Sequence, residues 1–107
     1  MALKQYQIIL VDLSYTIGSE IMKTRPCVIV SPDEMNRFLR TVIVAPMTTQ
    51  SRTYPSRVRI KQNKKTGWIV LDQIRTIDKK RIIKSLGKLQ PREISKTKNV
   101  LREMLVE

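Results

Sequence analysis

Histidine is absent from all 107 residues of this chain. That removes the commonest general base and the commonest metal ligand together, so a histidine-dependent ribonuclease or a Ser-His-Asp hydrolase is excluded. Cysteine occurs once, at Cys27, which excludes an intramolecular disulfide and a cysteine zinc site within one chain. Set inside an apolar run, that thiol fits a reducing cytosol, so a cytoplasmic location is expected. Three glycines leave no Walker-type or dinucleotide-type phosphate loop. Acids are few and dispersed; the adjacent pair Asp33 and Glu34 suits the first turn of a helix. A two-metal nuclease needs several convergent carboxylates, and no spacing here supplies them. No apolar run approaches the length of about 20 residues that crosses a bilayer, and MALKQYQ at the N-terminus lacks the apolar core of an export signal. These absences point to a protein working without metal, cofactor or membrane.

Positive charge is what the chain has in excess. Twenty-one Lys and Arg against nine Asp and Glu give a net charge of +12 and a pI near 10.4. Such a charge draws polyanions, nucleic acid first among them. An anionic membrane surface would need a helix with a broad apolar face. The helical pattern after Pro91 carries only a narrow stripe. Length sets a single domain, residues 1–107. A chain this short buries only ~60–70% of its unfolded surface, and pairing with a second copy is an expected source of further stability.

Strand patterns dominate. Ile8–Asp12 reads as a short strand, and Ser14–Arg25 as a polar loop around Gly18. Cys27–Val30 is β-branched and continuous, the mark of a strand buried on both faces. Ser31 and Pro32 read as N-cap and first helical position of a short turn over Pro32–Asn36. Thr41–Pro46 is a third buried strand, closed by its proline, and Thr48–Pro55 a polar loop. Arg57-Val58-Arg59-Ile60-Lys61 alternates strictly, one face basic and one apolar. Trp68–Ile77 reads as a strand with a charged break at Asp72, and Ile82–Leu89 as a further short one. Ile94, Thr97, Leu101 and Met104 or Leu105 then recur at helical spacing. The fold class is mainly β with a C-terminal helix, a small barrel-like or strongly bent antiparallel sheet.

One reaction suits a basic chain lacking histidine and metal ligands. RNA carries its own nucleophile, the 2′-OH beside the scissile phosphate. Its attack needs orientation, neutralisation of charge on the phosphorane and some proton transfer. Arginine grips two phosphate oxygens with a planar fork, and Thr or Ser hydroxyls complete a cradle. DNA lacks the hydroxyl and is inert to this route.

The motifs VDL (Val11–Leu13), GSE (Gly18–Glu20), RP (Arg25–Pro26) and SPDEMNR (Ser31–Arg37) resemble those of the MazF/PemK (Kid) family of toxin endoribonucleases. The likeness continues through TVIVAPMTTQ (Thr41–Gln50), YP (Tyr54–Pro55), LDQIRTIDKKR (Leu71–Arg81) and LGKL (Leu86–Leu89). The order and spacing of these motifs, over nearly the whole chain, carry the resemblance. It implies an SH3-like barrel of the MazF/Kid/CcdB toxin type with a C-terminal helix, assembled as a homodimer. It implies metal-independent, sequence-specific cleavage of single-stranded RNA, leaving a 2′,3′-cyclic phosphate and a 5′-hydroxyl. It also implies inhibition by a cognate acidic, MazE-like antitoxin. The family's catalytic Arg and Thr fall on Arg25 and Thr48; Glu20, Gln50 and Asp72 fall on positions lining its active-site region. The chain departs at its start, where Gln5, Tyr6 and Gln7 replace a Gly-Asp pair. It departs again at Val70, where one branch has an arginine, so that branch's acid and base assignments do not transfer.

Arg25 is therefore expected to stabilise the phosphorane electrostatically, because a guanidinium keeps its proton. Thr48 would contact phosphate, and Glu20 is the candidate base for the 2′-OH. Ser19, Gln50, Arg57, Arg59 and Asp72 are the candidate substrate-binding residues, with the basic strand face gripping backbone. Tyr54 and Trp68 are rings able to stack on bases, and Trp68 equally suits core packing. Lys96, Lys98 and Arg102 form the wet side of the last helix. The alternative of another class is a gyrase-poisoning toxin of the same fold, which binds a protein and cuts nothing; a third is a binding module without turnover.

Overall fold

A computed structural model describes residues 2–14, 18, 20–21, 23–51, 53–62 and 64–106, with Gln62 described in its backbone alone. Seven strands and two helices follow in chain order: β1 (Gln7–Asp12), β2 (Thr24–Ile29), α1 (Asp33–Phe38), β3 (Thr41–Thr48), β4 (Arg57–Gln62), β5 (Lys65–Val70), β6 (Arg75–Asp78), β7 (Ile82–Lys88) and α2 (Pro91–Leu105). Two 3-10 turns, Leu71–Gln73 and Lys79–Arg81, flank β6. The strands pair in the order β4-β5-β3-β2-β1-β7, all antiparallel, with β6 joined to β3. The sheet curls without closing, because no pairing between its ends β4 and β7 occurs among the described residues.

β3 is the hub. Thr41–Val44 pair with β6, while Met47 and Thr48 pair with β5. Ala45 and Pro46 fall where the partner changes, so the donor that proline lacks is one that neither neighbouring ladder uses. This is why the strand runs through Pro46 to Thr48 rather than ending at the proline. Likewise β2 begins at Thr24, three residues before Cys27. The residue ahead of a proline is biased to extended backbone, and Arg25 and Pro26 pair with Val11 and Leu10 as ordinary strand residues.

The central strands are buried on both faces, as their unbroken apolar runs predict. Ile8, Val28, Ala45 and Met47 point into one cluster with Val58, Ile60, Ile69 and Leu71, under the α2 residues Ile94, Val100 and Leu101. Ile9, Val11, Cys27, Ile29, Val42 and Val44 point into the other, with Ile77. On β4, Val58 and Ile60 are buried and Arg59 and Lys61 exposed, matching the alternation. On α2, Thr97 is fully buried and Lys96, Lys98 and Arg102 are exposed.

Two readings at element ends change. Helix α1 starts at Asp33 with Pro32 as its cap residue, and Ser31 makes no cap bond. The Ser31 hydroxyl is instead buried, donating to Asn36 Oδ1 and accepting from Ile43 N, so its polarity ties α1 to β3. The stretch Trp68–Ile77 is two strands, because the turn at Leu71–Gln73 breaks it at the charged position.

Candidate active site

Arg25 and Thr48 sit on adjacent strands. The β2–β3 register pairs Cys27 with Pro46; continued by two residues, it sets Arg25 opposite Thr48. Both line a groove of about 340 Å³. Pro26 and Met47 lie beside them, Ile60 and Gly67 come from β4 and β5, and Leu86 comes from β7. The groove is thus the mouth of the curled sheet, where its two ends face each other. Among the described residues the lining carries two cations, Arg25 and Lys65, and no acid.

Thr48 ends β3, and its hydroxyl is held by the loop that follows. It accepts from Gln50 N and donates to Gln50 O, both at 3.2 Å. Two bonds this long orient the hydroxyl weakly. Gln50 therefore reaches the groove through Thr48 rather than as part of its wall. Across the sheet, Thr48 is paired with Trp68, and Trp68 with Arg59. Directly paired residues project on one face, so these three form a row over β3, β5 and β4. Trp68 is half-buried and outside both core clusters.

Arg57 and Asp72 are not in the groove wall; they hold each other. Arg57 Nε donates to Asp72 Oδ1 at 3.2 Å and Nη2 to Oδ2 at 3.3 Å, while Nη1 donates to Ser51 Oγ at 2.8 Å. Ser56 Oγ adds a bond to Asp72 Oδ1 at 2.9 Å. The Arg57 guanidinium also lies 4.8 Å from the centre of the exposed Tyr54 ring. Burial alone would push the Asp72 carboxyl up, but the bonds from Arg57 and Ser56 outweigh it and hold it below the usual carboxylate range. The basic face of β4 is accordingly split: Arg57 fastens the β3–β4 loop to the turn, and Arg59 and Lys61 face solvent. Glu20 is exposed on the β1–β2 loop. Ser19 lies outside the described residues. No cluster of three metal-ligating side chains occurs among the described residues, and none of their helices is long and apolar enough to cross a membrane.

The row through Trp68 and the turn holding both loops were not legible in the sequence, since their partners lie far apart along the chain. The residue after Asp72 gives the clearest case: Gln73 Oε1 accepts from Ile21 N at 2.8 Å, across 52 positions.

A family model for the PemK-like, MazF-like toxin of type II toxin-antitoxin systems matches residues 4–105. The chain belongs to this toxin family. It is 34% identical over 105 residues to Endoribonuclease MazF of Staphylococcus saprophyticus, covering 92% of this chain and 88% of that one. Among solved structures, an endoribonuclease from a mycobacterial species, in complex with its cognate antitoxin, is similar at a TM-score of 0.83 and 28% identity, over 98% of this chain and 96% of that one. MazF from Deinococcus radiodurans reaches a TM-score of 0.87 at 18% identity, over 100% and 99% of the two chains, a likeness of fold. This MazF-like chain therefore has the toxin fold expected from its motifs, with the barrel in its open, curled form.

Proposed function

We propose that the chain is a metal-independent endoribonuclease that cuts single-stranded RNA at a short sequence motif by attack of the 2′-OH on the adjacent phosphate. The observation that carries the reading is the placing of Arg25 and Thr48 on one groove. The scissile phosphate lies between them, and Arg25 offsets the charge that grows on the phosphorane. Thr48 gives up its long bond to Gln50 O and donates to a non-bridging oxygen. Glu20 accepts the 2′-OH proton as the new O2′–P bond forms and the P–O5′ bond breaks. The departing 5′-oxygen takes a proton from solvent water, giving a 2′,3′-cyclic phosphate and a 5′-hydroxyl. Asp72 is a poor choice of base, because its carboxylate is engaged by Arg57 and Ser56. Arg59 and Lys65 supply phosphate contacts beyond the scissile bond, a role favoured by the net charge of +12.

An acidic antitoxin is the matching partner, supported by the same charge and by the antitoxin complex of the mycobacterial relative. A homodimer is supported by apolar side chains exposed in the single chain, among them Ile83, Leu105 and Val106. The expected setting is the cytosol.

The test is cleavage of RNA in excess chelator, followed by end-group analysis. Wild type cuts, a substrate with one 2′-deoxy at the scissile position resists, and Arg25→Ala and Thr48→Val lose about 100-fold or more in kcat while staying folded. Uncut RNA under these conditions refutes the reading. Halted supercoiling by gyrase with RNA intact would instead support the protein-binding alternative.

A further inference from the structure

We propose that Gln73 is a positioning residue for Glu20. The proposal rests on the nuclease reading above. Glu20 stands on a loop whose base is closed by the bond from Leu13 N to Lys23 O at 2.9 Å. Lys23 itself has φ +70°, a left-handed conformation uncommon outside glycine, which turns the chain into β2. Between these points the loop is held by residue 21. The half-buried Ile21 side chain packs on the second core cluster, and its N–H donates to Gln73 Oε1 at 2.8 Å. That N–H belongs to the rigid peptide plane that begins at the Glu20 Cα. Fixing the plane therefore anchors the Cα from which the Glu20 side chain starts.

Gln73 can do this because it belongs to the turn that also holds the other loop. In the same three-residue turn, Leu71 N donates to Ser56 O at 3.1 Å, and Asp72 holds Arg57, which reaches Ser51. One short turn thus joins the loop ahead of Arg25 to the loop after Thr48. Gln73, itself absent from the groove wall, ties the loop that carries the candidate base to the turn that holds the loop after Thr48.

The test compares wild type, Gln73→Leu and Gln73→Glu on the preferred RNA, each also in a Glu20→Gln background. Losing the acceptor in Gln73→Leu should lower kcat by about 10- to 100-fold, the penalty of a misplaced group, with KM unchanged. Gln73→Glu keeps an acceptor for Ile21 N and should restore most of kcat. With Glu20→Gln present, Gln73→Leu should cost nothing further, because the two act through one group. Gln73→Asn, which draws the amide back by one methylene, replaces the leucine variant if that fails to fold. Folded variants with unchanged kcat, or an equal loss with and without Glu20, overturn the proposal and leave the nuclease reading standing. An inactive wild type overturns both.

Discussion

Replacing Asp72 by alanine tests how the β3–β4 loop is held. The substitution removes the acceptor for two Arg57 nitrogens and for Ser56 Oγ. Hydrogen bonds to charged groups contribute about 1.5–3 kcal/mol when well buried, whereas exposed ion pairs contribute about 0.2–1 kcal/mol. The side chains of Arg57 and Asp72 are 20% and 36% exposed, so solvent screening brings the pair well below the buried limit. A loss of about 1–2 kcal/mol follows. In a domain near 100 residues this is roughly 5–10 °C in Tm. The pH dependence supplies a sign as well as a size. Because the folded chain holds the Asp72 carboxyl below its ordinary value, its contribution is complete above the unfolded-chain value of about 3.9. It disappears as pH falls through the lower folded value. Thermal unfolding followed by circular dichroism should therefore show a wild-type advantage that is constant from pH 7 to pH 5 and narrows below about pH 4. A gap that persists undiminished at the acid end, or no gap at neutral pH, would show that the carboxylate is not what fastens the loop.

Two further outcomes concern buried groups. Cys27 is fully buried and its thiol is pushed up to about 12 by that burial, with Arg75 opposing weakly. It should resist alkylation in the native protein at pH 8 and react fully in denaturant; mass spectrometry showing rapid native labelling would contradict its place between β1 and β3. Glu93 spends one carboxylate oxygen on Gln90 N at 2.9 Å and the other on Lys61 N at 3.1 Å. Glu93→Ala uncaps α2 and strands a donor on the outer edge of β4, a loss of about 2–3 kcal/mol by chemical denaturation; an unchanged midpoint would mean that α2 does not guard that edge.

Much of the fold was legible because burial writes period into sequence. The alternation over Arg57–Lys61 gave β4 and its two faces, and the continuous run Cys27–Val30 gave a strand buried twice over. What escaped were features set by partners distant in the chain. Pro46 looks like a stop until β6 and β5 are seen to divide β3 on either side of it. Ser31 looks like a cap until Ile43 claims its oxygen. The break at Asp72 was visible, but its purpose lay in Arg57 and Ser56, some 15 residues earlier. For the site, the pairing of Arg25 with Thr48 came from resemblance to a family, since an arginine ahead of a proline and a threonine at a strand end are individually commonplace. Gln73 lay within the motif LDQIRTIDKKR, but nothing along the chain named Ile21 as its partner.

The divided edge of β3 also bears on how the chain reaches its native state. β5 and β6 each take a different half of one edge of β3, opposite the edge that β2 occupies. Apart from the β4–β5 hairpin, the ladders join residues 12 or more positions apart, which favours slow, concerted acquisition of structure. A newly made copy would leave the Thr41–Val44 edge of β3 unpaired until residue 78 has emerged, a window in which that edge is open to other strands.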